Sequence, residues 1–200
     1  MIFNKKGTKK TVDLDMPEEE NFFKEIIKFA LLAAIIVIPF RIFVAEPYIV
    51  NGASMSPTFE TGHYLIINKF LHKFTDVERG SVVVFRYPND PSRFFVKRVI
   101  GLPGETIRIR DRAVYIKSVD SETFKQLDEP YVKNTIQNNL EKDIAEDEYF
   151  VIGDNRGNSH DSRAWGPLNE SFIKGEAILR LLPLSKITIN PGKTNPLINN

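Results

Sequence analysis

Beyond residue 45 the chain never sustains an apolar period long enough for a long helix. It carries short runs of β-branched and aromatic residues at 48–50, 64–67, 81–87, 94–100, 106–110, 113–116, 148–152 and 177–182. Turn signals separate them: Asn51-Gly52, Arg79-Gly80, Pro88-Asn89-Asp90-Pro91, Pro103-Gly104, Gly153-Asp154 and Pro167. Runs of this length, broken at this frequency, predict a mainly β domain over residues 46–189. Residues 118–147 are more polar and less regular, which predicts a small insert at about 111–147. Residues 190–200, with Pro191, Gly192, Pro196 and several Asn, read as a flexible tail.

The amino-terminal part follows different rules. Residues 1–21 are polar, with Lys5, Lys6, Lys9 and Lys10 followed by Asp13, Asp15, Glu18, Glu19 and Glu20, and read as a solvated tail. Residues 26–44 are a hydrophobic run with Lys28 near its start and Arg41 near its end. As a helix rising ~1.5 Å per residue, such a run matches a ~30 Å hydrocarbon core, with both cations able to snorkel to the headgroups. The expectation is a single transmembrane anchor over residues 22–45. A buried helix of a soluble protein and a cleavable secretory signal are the alternatives. The long acidic leader and the Phe43/Ala45 pair fit a signal cleavage site poorly. The lysines on the amino-terminal side place that end in the cytoplasm, with the β domain extracytoplasmic, and Arg41 weighs the other way.

Composition narrows the chemistry. The chain has no cysteine, which excludes a disulfide framework, a Cys-based zinc site and a cysteine nucleophile. Three scattered histidines suggest no metal centre, and no cofactor motif is present. A formal net charge of +1 argues against nucleic acid as a partner.

Three segments carry candidate chemistry. In Asn51-Gly52-Ala53-Ser54-Met55-Ser56-Pro57-Thr58 a strand runs into a Gly-containing turn. A serine there is exposed, and its small neighbours let a substrate backbone approach. In Phe94-Phe95-Val96-Lys97-Arg98-Val99-Ile100-Gly101 alternation puts Phe95, Lys97 and Val99 on one face and Arg98 on the other. If the first face is buried, desolvation lowers the lysine pKa and yields an amine able to accept a proton near neutral pH. The bland alternative is an edge-strand lysine reaching solvent. The third segment, Phe150-Val151-Ile152-Gly153-Asp154-Asn155-Arg156-Gly157-Asn158-Ser159-His160-Asp161-Ser162-Arg163, leads from a hydrophobic strand into a polar loop that can fix side chains by local hydrogen bonds. These residues also permit a triad of Ser54, His160 and Asp154 or Asp161, since geometry rather than spacing defines a triad.

Taken together, the segments resemble the boxes of the bacterial type I signal peptidases. Ser54-Met55-x-Pro57-Thr58 is similar to the family's nucleophile box and Gly80-Ser81-Val82-Val83-Val84-Phe85 to the strand box after it. The stretch Lys97-Arg98-Val99-Ile100-Gly101-Leu102-Pro103-Gly104-Glu105 resembles the lysine box, and Gly153-Asp154-Asn155 with Ser159, Asp161, Ser162 and Arg163 resembles the last. The resemblance implies a β-rich catalytic domain on one amino-terminal anchor. It implies Ser54 as nucleophile and Lys97 as general base, with Ser159 orienting the lysine amine. Asp161 with Arg163, together with Arg98 and Asp154, would hold the framework. The backbone N–H of Ser54 would form part of the oxyanion hole. Some relatives add a serine hydroxyl two positions before the nucleophile, where this chain has Gly52. His160 matches no catalytic position of the family. The implied reaction is removal of signal peptides from exported preproteins at the bilayer, after small residues at the first and third positions before the cut, with neither metal nor cofactor. Two rivals remain at the level of sequence: a Ser/Lys protease with a different substrate, and a membrane-tethered β domain that binds peptides without cutting them.

Overall fold

The computed structural model describes residues 19–39, 45–69, 76–134 and 139–194. They form two compact units, divided after Pro39. The first is helix α1 (Glu19–Pro39). It covers the first part of the expected anchor, and residues 40–44, the rest of that run, lie outside the described residues. Among the described residues no helix is long and apolar enough to cross a membrane. In α1 the charges of Lys24, Glu25 and Lys28 fall within the first half, and the apolar stretch begins only at Phe29. The side chains of Phe29, Leu31, Leu32, Ile35, Val37 and Ile38 are exposed.

The second unit is built of antiparallel strands. In the larger sheet the order is β1 (Ala45–Ile49), β2 (Tyr64–Asn68), β11 (Ile173–Leu182), β3 (Val82–Tyr87), β4 (Asp90–Gly101), β9 (Glu148–Ile152) and β10 (Leu168–Asn169), with β12 (Thr188–Ile189) also on β11. The smaller sheet runs β7 (Lys125–Gln126), β6 (Ala113–Lys117), β5 (Thr106–Arg110), β8 (Leu140–Asp143). A four-residue helix, α2 (Ser162–Trp165), follows the loop after β9.

Side-chain alternation explains how these strands pack. In β2 and β6 alternate residues are buried, Leu65 and Ile67 in one, Val114 and Ile116 in the other. Strand β3 is buried on both faces. Val82 joins the cluster of Val50, Met55, Phe59, Leu65 and Ala177, while Val83 and Phe85 join Val77, Val99, Tyr149, Val151, Leu168 and Ile173. A third cluster, under the smaller sheet, gathers Ile107, Ile109, Val114, Ile116, Leu127 and Ile144 with Ile100, Phe150 and Ile152. Thus β9 sends Tyr149 and Val151 to one core and Phe150 and Ile152 to another, so β4 and β9 tie the two sheets together.

Every expected run has a strand counterpart, with three starts that move by three or four residues, β1 among them at Ala45 rather than residue 48. Strand β4 starts at Asp90, because the β3–β4 hairpin turns within Pro88-Asn89 and Tyr87 already pairs with Asp90. Strand β11 starts at Ile173 and passes through Gly175, whose missing Cβ lets the carbonyl of Asn68 approach. The polar segment 118–147 is not loose throughout, since β7 and β8 lie within it and extend the smaller sheet on both edges. The segment taken as a flexible tail is docked over its first part. Asn190 N–H donates to Ile178 O at 2.8 Å, Lys193 N–H to Asn190 O at 3.1 Å, Pro191 is buried and Gly192 half-buried. Residues 195–200 lie outside the described residues.

Candidate active site

Ser54 sits in the turn that follows β1. The turn is pinned at its base by Val50 N–H to His63 O and Gly62 N–H to Val50 O, each 2.9 Å. It is anchored from below by Met55 and Phe59, both fully buried. Its outer side is held by Asn155, whose backbone N–H donates to Ser54 O at 3.0 Å and whose side-chain amide donates to Ala53 O at 3.0 Å. Gly153 makes this approach possible. A Cβ there would lie 2.5 Å from Ser54 O and 2.2 Å from Ser159 Oγ, closer than real atoms come.

Lys97 reaches the serine from β4. Its Nζ lies 2.8 Å from Ser54 Oγ, in hydrogen-bond contact, and donates to Val96 O at 3.0 Å. Only 4% of the residue is exposed. The Phe95 ring stands 5.1 Å from the amine, and Tyr87 stacks on that ring. Burial disfavours the ammonium and is the largest influence on this group. The carboxylates of Asp161 and Asp154 favour the ammonium, and Arg163 opposes it. The balance pushes the Lys97 pKa down to about 8.

The neighbouring residue has the opposite environment. Arg98 points to the other side of β4 and is fully buried. Its Nε and Nη2 grip Asp154 through 2.8 and 2.6 Å bonds, and Nη1 donates to Gly80 O at 2.8 Å. The Tyr131 ring lies 3.9 Å from the guanidinium carbon. Thr58 Oγ1 donates to the same Asp154 at 2.5 Å, which ties the Ser54 turn to the Arg98–Asp154 pair. Asp161 forms a second fork with Arg163, at 2.7 and 2.8 Å, and accepts the Gly153 N–H at 3.1 Å. Burial works against the Asp161 carboxylate, but the bonds and charge of Arg163 outweigh it and hold its pKa below the usual range.

The expected residues therefore gather at one place, with one exception in detail. Ser159 does not hydrogen-bond the Lys97 amine. Its Oγ is buried near Asp161, whose carboxylate it helps to keep ionised, and the amine is engaged by Ser54 and Val96 instead. The Ser/His/Asp arrangement is not assembled. His160 Nε2 lies 2.9 Å from Tyr87 OH, and both aspartates are taken by arginines. Gly52, where some relatives carry serine, donates its N–H to Thr61 Oγ1 at 3.1 Å. Sequence reasoning missed Thr58 as a ligand of Asp154, Asn155 as the clamp on the Ser54 turn, and Glu129 and Tyr131 from the polar insert. Glu129 holds the buried Arg156 through two bonds, of 3.0 and 2.6 Å. Thr58 and Asn155 stood within quoted motifs, whereas nothing in the local pattern around residues 129–131 marks them.

A cleft of about 440 Å³ opens beside Ser54 and Lys97. One wall is the stretch from Tyr48 to Ser54, the other the stretch from Arg93 to Lys97, and Leu65 and Val84 form the floor. Both walls are strand edges. Strand β1 ends the sheet, and β9 pairs with β4 only from Arg98 onward.

A serine hydroxyl in contact with a buried amine, at the end of an open cleft, is the arrangement of a serine hydrolase. Residues 23–182 match the family model described as signal peptidase, peptidase S26, and the chain belongs to that family. It is 35% identical over 179 residues to a probable signal peptidase I-1 of Synechocystis, covering 86% of this chain and 88% of that protein. It is 38% identical over 143 residues to signal peptidase I V of Bacillus subtilis, covering 64% of this chain and 80% of that protein. A crystal structure of a signal peptidase I from Enterococcus faecalis is 29% identical, with a TM-score of 0.43 over 51% of this chain and 97% of that one. The chain is a serine peptidase of the signal peptidase I type.

Burial of Lys97 has a stability consequence with a defined sign. The folded-state pKa of about 8 lies below the ordinary 10.5, so between those values the unfolded chain binds the extra proton. Stability therefore rises with pH across that window, and the full penalty applies below about pH 8. At about 1.4 kcal/mol per pKa unit the penalty is on the order of 3 kcal/mol. Lys97→Met is expected to raise unfolding stability by about 2–3 kcal/mol at pH 6, and the gain is expected to vanish by about pH 10.5. Urea denaturation of both proteins at the two pH values checks this.

Proposed function

We propose that Ser54 is the nucleophile and Lys97 the general base of an endopeptidase that removes signal peptides from exported preproteins through an acyl-enzyme. The observation that carries the reading is the 2.8 Å contact between Ser54 Oγ and an amine that burial has brought near neutrality. Neutral Lys97 takes the Ser54 proton as Oγ attacks the scissile carbonyl carbon. The tetrahedral intermediate collapses, the C–N bond breaks, and the lysine ammonium protonates the leaving amine. Lys97 then deprotonates a water that attacks the ester, and the proton returns to Ser54. The Ser54 backbone N–H is one donor to the oxyanion. Asp161 with Arg163 and Asp154 with Arg98 hold the loop that clamps the Ser54 turn. Ser159, its hydroxyl buried beside Gly153, would orient the amine once Lys97 carries the extra proton.

The cleft supports an extended peptide as substrate. Two unpaired strand edges facing one groove offer main-chain hydrogen bonds to a strand laid between them. Alternate residues of that strand then face one wall. Val50, Leu65, Val84 and Val96 give an apolar surface against which the first and third residues before the cut would lie, and a cleft of this size suits small ones. We assign membrane attachment to residues 26–44, with the amino terminus cytoplasmic and the β domain extracytoplasmic. The exposed apolar side chains of α1 support that assignment.

Cleavage of a preprotein at a small-x-small site in detergent tests the reaction. Ser54→Ala and Lys97→Ala are each expected to reduce kcat to background, while His160→Ala retains most activity. The acid limb of kcat/KM is expected near pH 8. Full activity of Lys97→Ala would place the base elsewhere, and binding without cleavage by the intact chain would favour the peptide-binding rival. Alkaline carbonate extraction of cells expressing the whole chain tests attachment. The protein is expected in the membrane pellet, and a form starting at residue 46 in the supernatant.

A further inference from the structure

The turn at residues 190–194 touches three of the four motif segments at once. Gly192 lies against the Ser54 segment, and a Cβ there would come within 2.6 Å of Thr58 Cγ2 and 3.3 Å of the Phe59 ring. Its φ of +75° adds a second reason for glycine. The turn meets the segment starting at Gly80 through Thr194 N–H, which donates to Gly80 O. It meets the lysine segment through Arg98, whose Nη1 donates to Gly192 O and, at 3.2 Å, to Thr194 Oγ1. Lys193 fastens it from outside, 2.9 Å from Glu78 and 3.6 Å from Glu176, and Glu176 also accepts Ser81 Oγ at 2.6 Å.

Arg98 has a planar fork of donors, and a buried fork is rigid only when its donors are satisfied. Asp154 takes one edge. Gly80 O, Gly192 O and Thr194 Oγ1 take Nη1, and two of those three acceptors belong to the turn. Asp154 also holds Thr58, and the next residue, Asn155, holds the carbonyls of Ala53 and Ser54. A chain of direct contacts therefore runs from the turn through Arg98 and Asp154 to the nucleophile, and Gly192 closes it a second time on Thr58.

We propose that residues 190–194 form a positioning strap for the active site, with Gly192 and Thr194 as positioning residues that act through Arg98 and Thr58 on Ser54. The strap touches neither the cleft nor the reacting atoms, so its loss is expected in kcat far more than in KM. The groups bearing on the Lys97 amine are Asp161, Asp154 and Arg163, with the Phe95 ring above it. Strap removal takes away two of the acceptors of Arg98 Nη1 and the contact on Thr58, which loosens Asp154 and with it the turn that holds Ser54 against the Lys97 amine.

The inference rests on the proposed Ser54/Lys97 chemistry, and the test separates the two. The whole chain is compared with forms ending after Thr194 and after Asn190, and with Gly192→Val, Thr194→Val and Thr194→Ser, on a soluble small-x-small peptide at a temperature well below each thermal midpoint. Ending after Thr194 is expected to leave kcat unchanged. Ending after Asn190, or Gly192→Val, is expected to lower kcat roughly 10- to 100-fold with KM within about threefold. Thr194→Val is expected to show a smaller loss that Thr194→Ser restores. Unchanged kcat in the form ending after Asn190, with only a lower thermal midpoint, would reduce the strap to a stability element and overturn the proposal. If the whole chain cleaves no such peptide, the functional reading fails. The strap is then judged by amide hydrogen exchange of the Ser54 turn, expected to quicken without residues 191–200 and contradicted by unchanged exchange.

Discussion

The buried pair of Arg98 and Asp154 is the interaction on which the site depends. It joins the middle of β4 to the loop after β9 with both side chains shut off from solvent. A buried ion pair of this kind adds little net stability, yet losing one partner costs about 3–5 kcal/mol because a bare charge is left behind. Its value here is geometric. A forked, fully bonded guanidinium allows one position for Asp154, and Asp154 in turn fixes Thr58 on the serine turn and the start of the loop that carries Asn155. Two adjacent cations on one strand thus meet opposite fates. Arg98 is surrounded by acceptors and remains a charge. Lys97, one residue earlier on the other face, finds one hydroxyl and one carbonyl, and desolvation prevails over the more distant carboxylates.

Much of this was legible in the chain. Alternation located the long strands, because β2, β6 and the first half of β11 each bury one face and leave the other half-buried, and the two-residue period survives in the residue types. The same rule separated Lys97 from Arg98. What alternation did not reveal was that the Arg98 face is as dry as the Lys97 face, since burial on both sides of β4 comes from packing between two sheets. The two-residue strands β7, β10 and β12 are too short to hold a period. Strand β8, with Leu140 the only apolar residue in its sequence, exists because β5 offers it an edge.

The largest misreadings share one cause. Residues 129–131 and 190–194 are polar or rich in turn formers, and such composition ordinarily means a solvated loop. Both segments supply what a buried charge needs, namely carboxylates, carbonyls, a hydroxyl and an aromatic face. Their partners, Arg98 and Arg156, lie 27 to 96 residues away in sequence. A buried arginine has to be surrounded by polar groups, so residues that complete its cage, such as Glu129, Tyr131, Gly192 and Thr194, look like surface in the sequence and prove to be half-buried in the fold. Ser159 departs in the other direction. The residue is beside the site as expected, but its hydroxyl does not bond the amine, which is satisfied by Ser54 and the Val96 carbonyl.

The account stands or falls on whether the Lys97 amine loses its proton near neutral pH. Titration of lysine ε-carbon resonances in ¹³C-labelled protein, with Lys97 assigned by the signal missing from Lys97→Met, measures this directly. A midpoint near 8, well below the surface lysines, is the predicted result. A midpoint near the ordinary 10.5 would leave an ammonium beside Ser54 at working pH, with no capacity to accept its proton, and would contradict the assignment of Lys97 as the base.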